Sequence, residues 1–516
     1  MAGTREVYHP GDGSVGELPL FRSAWLHPFA HRQAQHAGER RGGPAIPPRA
    51  PAPGEQYRFH FDMGACIGCK CCVVACNEQN GNPAQLNWRR VGELEGGQYP
   101  FAQRFHLSMA CNHCLEPSCL AGCPVRAYRK DARTGIVLHD AETCIGCQYC
   151  TWNCSYGVPQ YNAERGVVGK CDLCYHRLAD AMPPACVAAC PEGALSVEIV
   201  NIASWRRDCS TGNAPGLPPA TDSLSTTRVS LPERLHAALE RVDTGHLAPE
   251  QPHWPLIIML VSTQLAAGAC ALLWMLDIHG AQGLLGATCA AAAVAVAGLT
   301  ASTLHLGRPA YAFRAIKGLR SSWLSREVLT LTLFAAAAAC YAGMSWSHSA
   351  GRSVAGAVAL LAGVAGITSS ARIYMLPARP AWNSPYTPAE FFATALLLGP
   401  LLVLAMVDAP QWARGAAVAG GVAQLGLMWG KYVWLQKAAA FELHSAAGLL
   451  RNQLRGHVVA RMGLLAATLL CTAAGLDAAA FILGLLSEGL GRYLFFVCVV
   501  PKSTASAFLR PRRAAA

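Results

Sequence analysis

Four cysteine motifs stand in order between residues 66 and 190. The first is Cys66-x2-Cys69-x2-Cys72-x3-Cys76, and the third repeats its spacing as Cys144-x2-Cys147-x2-Cys150-x3-Cys154. The second reads Cys111-x2-Cys114-x4-Cys119-x3-Cys123 and the fourth Cys171-x2-Cys174-x11-Cys186-x3-Cys190; prolines 124 and 191 follow them. Soft thiolates can hold iron or zinc, or oxidise to disulfides. Spacing discriminates among these. Three cysteines separated by two residues grip three irons of one cube, and a fourth, one helical turn on, reaches a second cube. A tetrahedral zinc site needs only two C-x2-C pairs, which these runs exceed. Disulfide frameworks belong to small secreted domains, not to a chain of 516 residues. The sixteen motif cysteines therefore predict four [4Fe–4S] clusters. Sixteen thiolates and four oxidised cores of about +2 would bring the formal charge of +11 to roughly +3.

The first and third runs resemble those of bacterial two-cluster ferredoxins, and the crossing rule of that family implies a partition. Cys66, Cys69 and Cys72 would take Cys190, while Cys171, Cys174 and Cys186 would take Cys76. Cys111, Cys114 and Cys119 would take Cys154, and Cys144, Cys147 and Cys150 would take Cys123. Asn77 and Ser155 depart from the ferredoxin pattern where proline is usual. Cys71 is out of register and reads as a bystander; Cys209, Cys270, Cys289, Cys340, Cys471 and Cys498 read as isolated small apolar residues.

The elements that must position these cysteines are short. Gly135-Ile-Val-Leu-His139 and Ala194-Leu-Ser-Val-Glu-Ile199 alternate like strands, giving an α+β, loop-rich, duplicated ferredoxin-like domain over residues 56–200. Residues 1–55, rich in Pro, Gly, Arg and His, read as an extended N-terminal arm. Residues 201–252 read as a Ser/Thr/Pro-rich linker with one short amphipathic helix carrying Leu235, Leu239 and Val242. No apolar run followed by a cleavage site stands in the first thirty residues, and Arg40-Arg41 is followed by Gly42-Gly43-Pro44.

Composition then turns apolar. The whole chain is 52% hydrophobic and only 14% charged, which excludes disorder and argues against a purely soluble protein. Within residues 253–500, eight apolar stretches centre near 265, 292, 336, 363, 398, 424, 467 and 489, with a tight break at Gly475-Leu476-Asp477. They predict an all-α eight-helix membrane bundle, followed by a basic tail at 501–516. An even number of crossings puts both ends of the region on one side. Loops on the cysteine-domain side carry Arg308, Arg314, Lys317, Arg320, Arg326, Arg372, Arg379, Lys437, Arg451, Arg455 and Arg461. The tail adds Lys502, Arg510, Arg512 and Arg513, whereas the far side has only Arg352 and Arg414. By the positive-inside rule the cysteine domain faces the cytoplasm. The same interleaving of cations with apolar segments argues against a nucleic-acid partner.

Ionisable residues near membrane depth are candidates for function. His305-Leu-Gly-Arg308 ends the second apolar stretch and Ser322-Trp-Leu-Ser-Arg326-Glu327 opens the third, both on the cysteine side. A quinone exchanging two electrons there also exchanges two protons, and histidine suits that task. The plainer alternative is a helix-end histidine bonded to a carbonyl beside snorkelling arginines. Glu488 and Arg492, one turn apart, read as an ion pair or a proton path; Arg372, Glu390 and His444 are weaker candidates. A proton-translocating module is a competing class, but Ala290–Leu299 and Ala355–Ile367 hold no ionisable residue.

These residues carry a likeness. The cysteine region resembles the four-cluster electron-transfer subunit of the dimethyl sulfoxide reductase family of molybdenum enzymes, and residues 254–500 resemble its eight-helix anchor subunit. The matching stretches are His305-Leu-Gly-Arg308-Pro, Ser322-Trp-Leu-Ser-Arg326-Glu327, Ala371-Arg-Ile-Tyr374 with Trp382, and Glu488-Gly-Leu-Gly-Arg492. The resemblance implies two subunits fused in one chain, a separate molybdopterin catalytic partner, and a quinone site that includes the residue matching His305. Cys119, where some relatives carry tryptophan and a three-iron cluster, favours four full cubes. Reductase members are exported with a twin-arginine partner, while a related cytoplasm-facing complex oxidises sulfite and reduces quinone. The cation distribution matches the second arrangement, so sulfite oxidation is the expected reaction and dimethyl sulfoxide reduction its alternative, in the cytoplasmic membrane.

Overall fold

The computed structural model describes residues 5–8, 15–18, 44–98, 102–234, 239–241 and 247–503. A two-stranded antiparallel ladder, β1 (Arg5–Tyr8) and β2 (Val15–Leu18), lies in the N-terminal arm. The cysteine domain is built from short strands that leave its loops free to wrap metal. β3 (Glu55–Asp62) alternates, with Tyr57, Phe59 and Phe61 buried. The first helix, α1 (Cys71–Asn80), precedes the hairpin β4 (Arg90–Gly96) and β5 (Gln103–Met109). Then follow α2 (Ser118–Gly122), the hairpin β6 (Tyr128–Lys130) and β7 (Val137–His139), and α3 (Tyr149–Asn153). The hairpin β8 (Gln160–Asn162) and β9 (Val167–Gly169), α4 (Tyr175–Ala179) and α5 (Ala185–Ala188) lead to β10 (Leu195–Asn201), antiparallel to β3.

The first and third motifs adopt the same turn. Gly68 and Gly146 have φ of 72° and 69°, and Lys70 and Gln148 have φ of 62° and 59° immediately before α1 and α3. Glycine meets the first of these left-handed positions without a Cβ clash. Lysine and glutamine accept strain at the second, so the loop rather than local preference dictates the path.

The stretch 201–252 is not simply a linker. After α6 (Ile202–Arg207), Trp205, Cys209 and Ala220 form a small core, and β11 (Arg228–Ser230) adds to β3 in parallel. Thr226 is fully buried, its hydroxyl donating to the Asn112 carbonyl at 2.6 Å. Hydrogen bonding lets this polar segment enter the domain. Ala45 likewise belongs to the core, and its carbonyl accepts from Val197 N at 2.9 Å. The domain therefore spans more than 56–200. The expected amphipathic helix lies mostly outside the described residues; within it, Glu240–Arg241 is a strand, β12, paired with β4.

Long helices occupy all eight expected stretches. They are α7 (Trp254–Ile278), α8 (Leu285–Thr303), α9 (Trp323–Trp346), α10 (Arg352–Tyr374), α11 (Tyr386–Met406) and α12 (Gln411–Lys437). After the shorter α13 (Phe441–Arg451) come α14 (Arg455–Ala473) and α15 (Asp477–Val497). Seven are long and apolar enough to cross a membrane; α12, with 27 residues but Arg414, Lys431 and Lys437, is the exception. Arg461 is not a loop cation: it lies buried in α14.

The bundle meets the cysteine domain through the connection between α8 and α9, which contains the 3-10 segment Pro309–Gly318. Ser322 Oγ donates to the Gly122 carbonyl at 2.7 Å, and Arg308 N to the Ile145 carbonyl at 3.1 Å. Backbone meets backbone where Gly307 faces Gly146 and Gly166; a Cβ on Gly307 would collide with the Gly166 carbonyl and the Tyr161 hydroxyl. Gly307→Val is thus expected to destabilise the seam by about 2 kcal/mol or more. Thermal release of the cysteine domain from the anchor, followed by limited proteolysis of membranes, checks this; an unchanged midpoint would contradict it.

Candidate metal centres and membrane cavity

Eight of the motif cysteines line two cavities in sets of four. Cys66, Cys69, Cys72 and Cys190 line one cavity; Cys111, Cys114, Cys119 and Cys154 line a second. Cys76 is in the electrostatic neighbourhood of Cys174 and Cys186, and Cys123 in that of Cys144 and Cys147. Cys71 is exposed and does not line the first cavity.

The surroundings suit anionic metal–sulfur clusters. Arg89 is only 2% exposed, with thiols of Cys72, Cys76, Cys171 and Cys186 around it, and its Nε and one terminal nitrogen have no partner. A buried guanidinium is costly without counter-charge, and thiolates on a cluster would supply it. Lys170, also buried, lies 3.7 Å from Cys111 Sγ. Backbone amides of Ala127, Gly146 and Leu173 donate to the sulfurs of Cys123, Cys144 and Cys171 at 3.3, 3.4 and 3.4 Å. Ser223 Oγ lies 3.1 Å from Cys114 Sγ. Such donors stabilise the negative charge on coordinated sulfur. Burial pushes the free thiols of Cys66 and Cys76 up to about 11 and about 12; metal coordination would replace their protons.

Of the motif cysteines, Cys147 reaches the bundle. Cys147 lines a cavity of about 310 Å³ bounded on the membrane side by His305, Glu327, Leu331 and Tyr374, and on the domain side by Tyr149 and Trp152. Motif turn and membrane helices therefore share one pocket. The His305 imidazole hydrogen-bonds the Cys147 backbone, and its Nε2 is buried without a partner. Burial, with His253 beside it, pushes His305 down to about 4. Glu327 is buried in α9, and Ser370 Oγ donates to it at 2.5 Å. Trp152 packs 6.3 Å from His305, 5.1 Å from His253 and 6.0 Å from Tyr374 between ring centroids. Tyr149 donates to the Ile373 carbonyl at 3.1 Å.

The other predicted residues lie elsewhere. Arg308 donates to the Ala141 carbonyl at 3.0 Å. Arg326 is half-buried, caps the Leu319 and Arg320 carbonyls, and stacks over Trp323. Neither lines the cavity. Glu488 and Arg492 enter a buried polar network instead of making a simple intrahelical pair. Glu488 accepts from Thr394 at 2.5 Å and Gln424 at 2.8 Å and faces Arg461 at 3.6 Å. Arg492 donates to Gln264 and Thr394, each at 2.8 Å. Glu390 pairs with Lys431 at 2.9 Å; Arg372 is exposed near Trp323, and His444 is exposed. Glu488→Leu should destabilise the bundle by about 3 kcal/mol, because it strands buried Arg461; thermal unfolding of the detergent-solubilised complex measures this, and an unchanged midpoint would contradict it.

Sequence patterns alone do not single out Tyr149, Trp152 and His253. Trp152 stands between the third motif's last two cysteines, and His253 just before α7. No periodicity marks them, although an aromatic inside a cysteine run is a usable signal.

Cysteine sets at one end and a membrane bundle at the other define an iron–sulfur electron-transfer module fused to a membrane anchor. Residues 102–199 match a family described as 4Fe-4S dicluster domain, and residues 248–441 one described as DMSO reductase anchor subunit (DmsC). An anaerobic dimethyl sulfoxide reductase chain of Haemophilus influenzae is 38% identical over 204 residues, 37% of this chain and 97% of the relative. The probable anaerobic dimethyl sulfoxide reductase chain YnfG of Escherichia coli K12 is 42% identical, over 27% of this chain and 72% of the relative. A sulfite dehydrogenase subunit of Allochromatium vinosum is 37% identical, over 27% and 67%. The chain belongs to the dimethyl sulfoxide reductase family of iron–sulfur and anchor subunits, with both parts in one multi-pass membrane polypeptide.

Proposed function

We propose that the chain carries electrons through four [4Fe–4S] clusters between a molybdopterin catalytic partner and membrane quinone, in the direction of sulfite oxidation. The observation that carries the quinone reading is the cavity shared by Cys147 and His305. Each cysteine set holds one cluster, in the partition implied by the ferredoxin crossing rule. When bound, these clusters supply one-electron relays; the chain's residues do the rest. The apolar walls exclude water and admit a quinone from the bilayer, while Trp152 and Tyr149 close the domain side. His305 Nε2 exchanges a proton with the quinone oxygen, its ring held by the Cys147 backbone. Glu327 is a second proton site, and Arg308 and Arg326 position the connection that carries His305.

Eight crossings are favoured over seven by parity. The α7 end of the bundle follows the cysteine domain, and beyond α15 Lys502 Nζ reaches Asp222 at 2.9 Å, back on that domain. With both ends on one side, α12 crosses as well in this reading. On the opposite side, Arg352 pairs with Asp277 and Arg414 with Asp477, each at 2.8 Å. The excess of loop cations on the domain side supports a cytoplasmic orientation, and with it sulfite as substrate. Dimethyl sulfoxide reduction from quinol is the second reading, favoured by identities of 38% and 42% to reductase relatives against 37% to the sulfite dehydrogenase subunit. In anaerobic inverted vesicles containing the native complex, sulfite should rapidly reduce oxidised clusters observed by EPR, with partner-free membranes silent. Silent native vesicles, with dimethyl sulfoxide reoxidising quinol-reduced clusters, would select the second reading.

A further inference from the structure

Away from the clusters, α12, α14, α15 and the turn after α13 enclose a second cavity of about 550 Å³. Its lining holds five cations, Lys431, Arg451, Arg455, Arg461 and Arg492, and one carboxylate, Glu390, already engaged by Lys431. Glu488 faces Arg461 from behind the lining, which leaves the site strongly positive. Arg461 and Arg492 are 8% and 3% exposed, and the Nε atom of each is buried without a partner. Arg451 and Arg455 make no ion pair among the described residues. They sit on the turn between α13 and α14, where Gln453 donates to the Leu247 carbonyl at 2.7 Å. That contact fixes the turn beside the segment that leads from the cysteine domain into α7. Trp429, Val459 and Met462 also line the cavity and are 69, 59 and 49% exposed, an apolar wall open at the bundle surface.

We propose that this cavity binds one acidic phospholipid. Its phosphate is held by Arg451 and Arg455 at the mouth, with the buried arginines supplying further positive potential, and an acyl chain lies along Trp429, Val459 and Met462. A neutral quinone offers no charge to offset these cations. Free inorganic phosphate leaves the apolar wall unoccupied. Phosphate and acyl chain on one molecule satisfy both ends.

Native mass spectrometry of the whole detergent-purified complex tests this with phosphatidylglycerol, phosphatidylcholine of the same chains, and inorganic phosphate. One phosphatidylglycerol should be retained with at least tenfold preference over phosphatidylcholine. Arg451→Gln with Arg455→Gln should reduce retention about tenfold, and Val459→Trp, which fills the wall with all cations intact, should do the same. Equal retention of the two lipids would overturn the proposal, as would full retention in both variants or displacement of lipid by inorganic phosphate alone. If the double variant fails to assemble, loss or retention in Val459→Trp decides the matter.

Discussion

Replacing His305 with alanine is expected to lower quinone-linked turnover about 100-fold or more while leaving all four clusters assembled. The basis is local. His305 lines the cavity beside Cys147 and is not one of the motif cysteines, so on the proposed reading its loss removes a proton-exchanging group and no metal ligand. With one ring nitrogen engaged by the Cys147 backbone, Nε2 is unpartnered and, on the proposed reading, free to meet a quinone oxygen. Asparagine or glutamine can keep a hydrogen bond without exchanging a proton at neutral pH. His305→Gln should therefore retain quinone-analogue affinity better than His305→Ala and recover little turnover. EPR of the clusters and stopped-flow quinone reduction separate the two effects. Normal turnover in both variants would remove His305 from the site.

Cys123→Ala should have an equally large effect by interrupting the wire instead of its terminus. Cys123 is the last cysteine of the second motif, yet it lies near Cys144 and Cys147 of the third. Its loss should alter the EPR signal of the cluster beside the membrane cavity and leave three others. Quinone-linked turnover should fall about 100-fold or more, since electron delivery to the cavity then lacks its final relay. Partner chemistry assayed with a soluble dye should persist. Cys71→Ser is the control: Cys71 is exposed beside the first cavity without lining it, so four clusters and full turnover are expected. Loss of a cluster in Cys71→Ser, or none in Cys123→Ala, would redraw the partition.

Cysteine spacing reveals the metal chemistry because ligand geometry tolerates little variation; the repeated turns at Gly68 and Gly146 are its structural counterpart. Helix positions are equally legible, down to the break at Gly475, since a bilayer demands long apolar runs. The polar interior is not. Gln264, Gln424 and Lys431 are isolated in apolar sequence, and only packing brings them to Arg492, Glu488 and Glu390. Arg461 reads as a loop cation because a charge at a helix end looks solvent-facing. Residues after 200 read as linker from their Ser and Thr, whereas hydroxyl-to-backbone bonds such as Thr226 to Asn112 bury them. The cavity itself joins residues far apart in the chain, Tyr149 and Tyr374 among them, and no local pattern encodes that meeting.

The most direct test of the central claim is a single-turnover reoxidation. Clusters in anaerobic vesicles holding the complete complex are reduced with dithionite, the excess is removed, and a short-chain quinone is added before freeze-quench EPR. Passage of electrons through the chain to the Cys147–His305 cavity predicts rapid loss of all cluster signals in wild type and slow loss in His305→Ala. Clusters that stay reduced in wild type with quinone, yet reoxidise at once with a soluble acceptor, would contradict it.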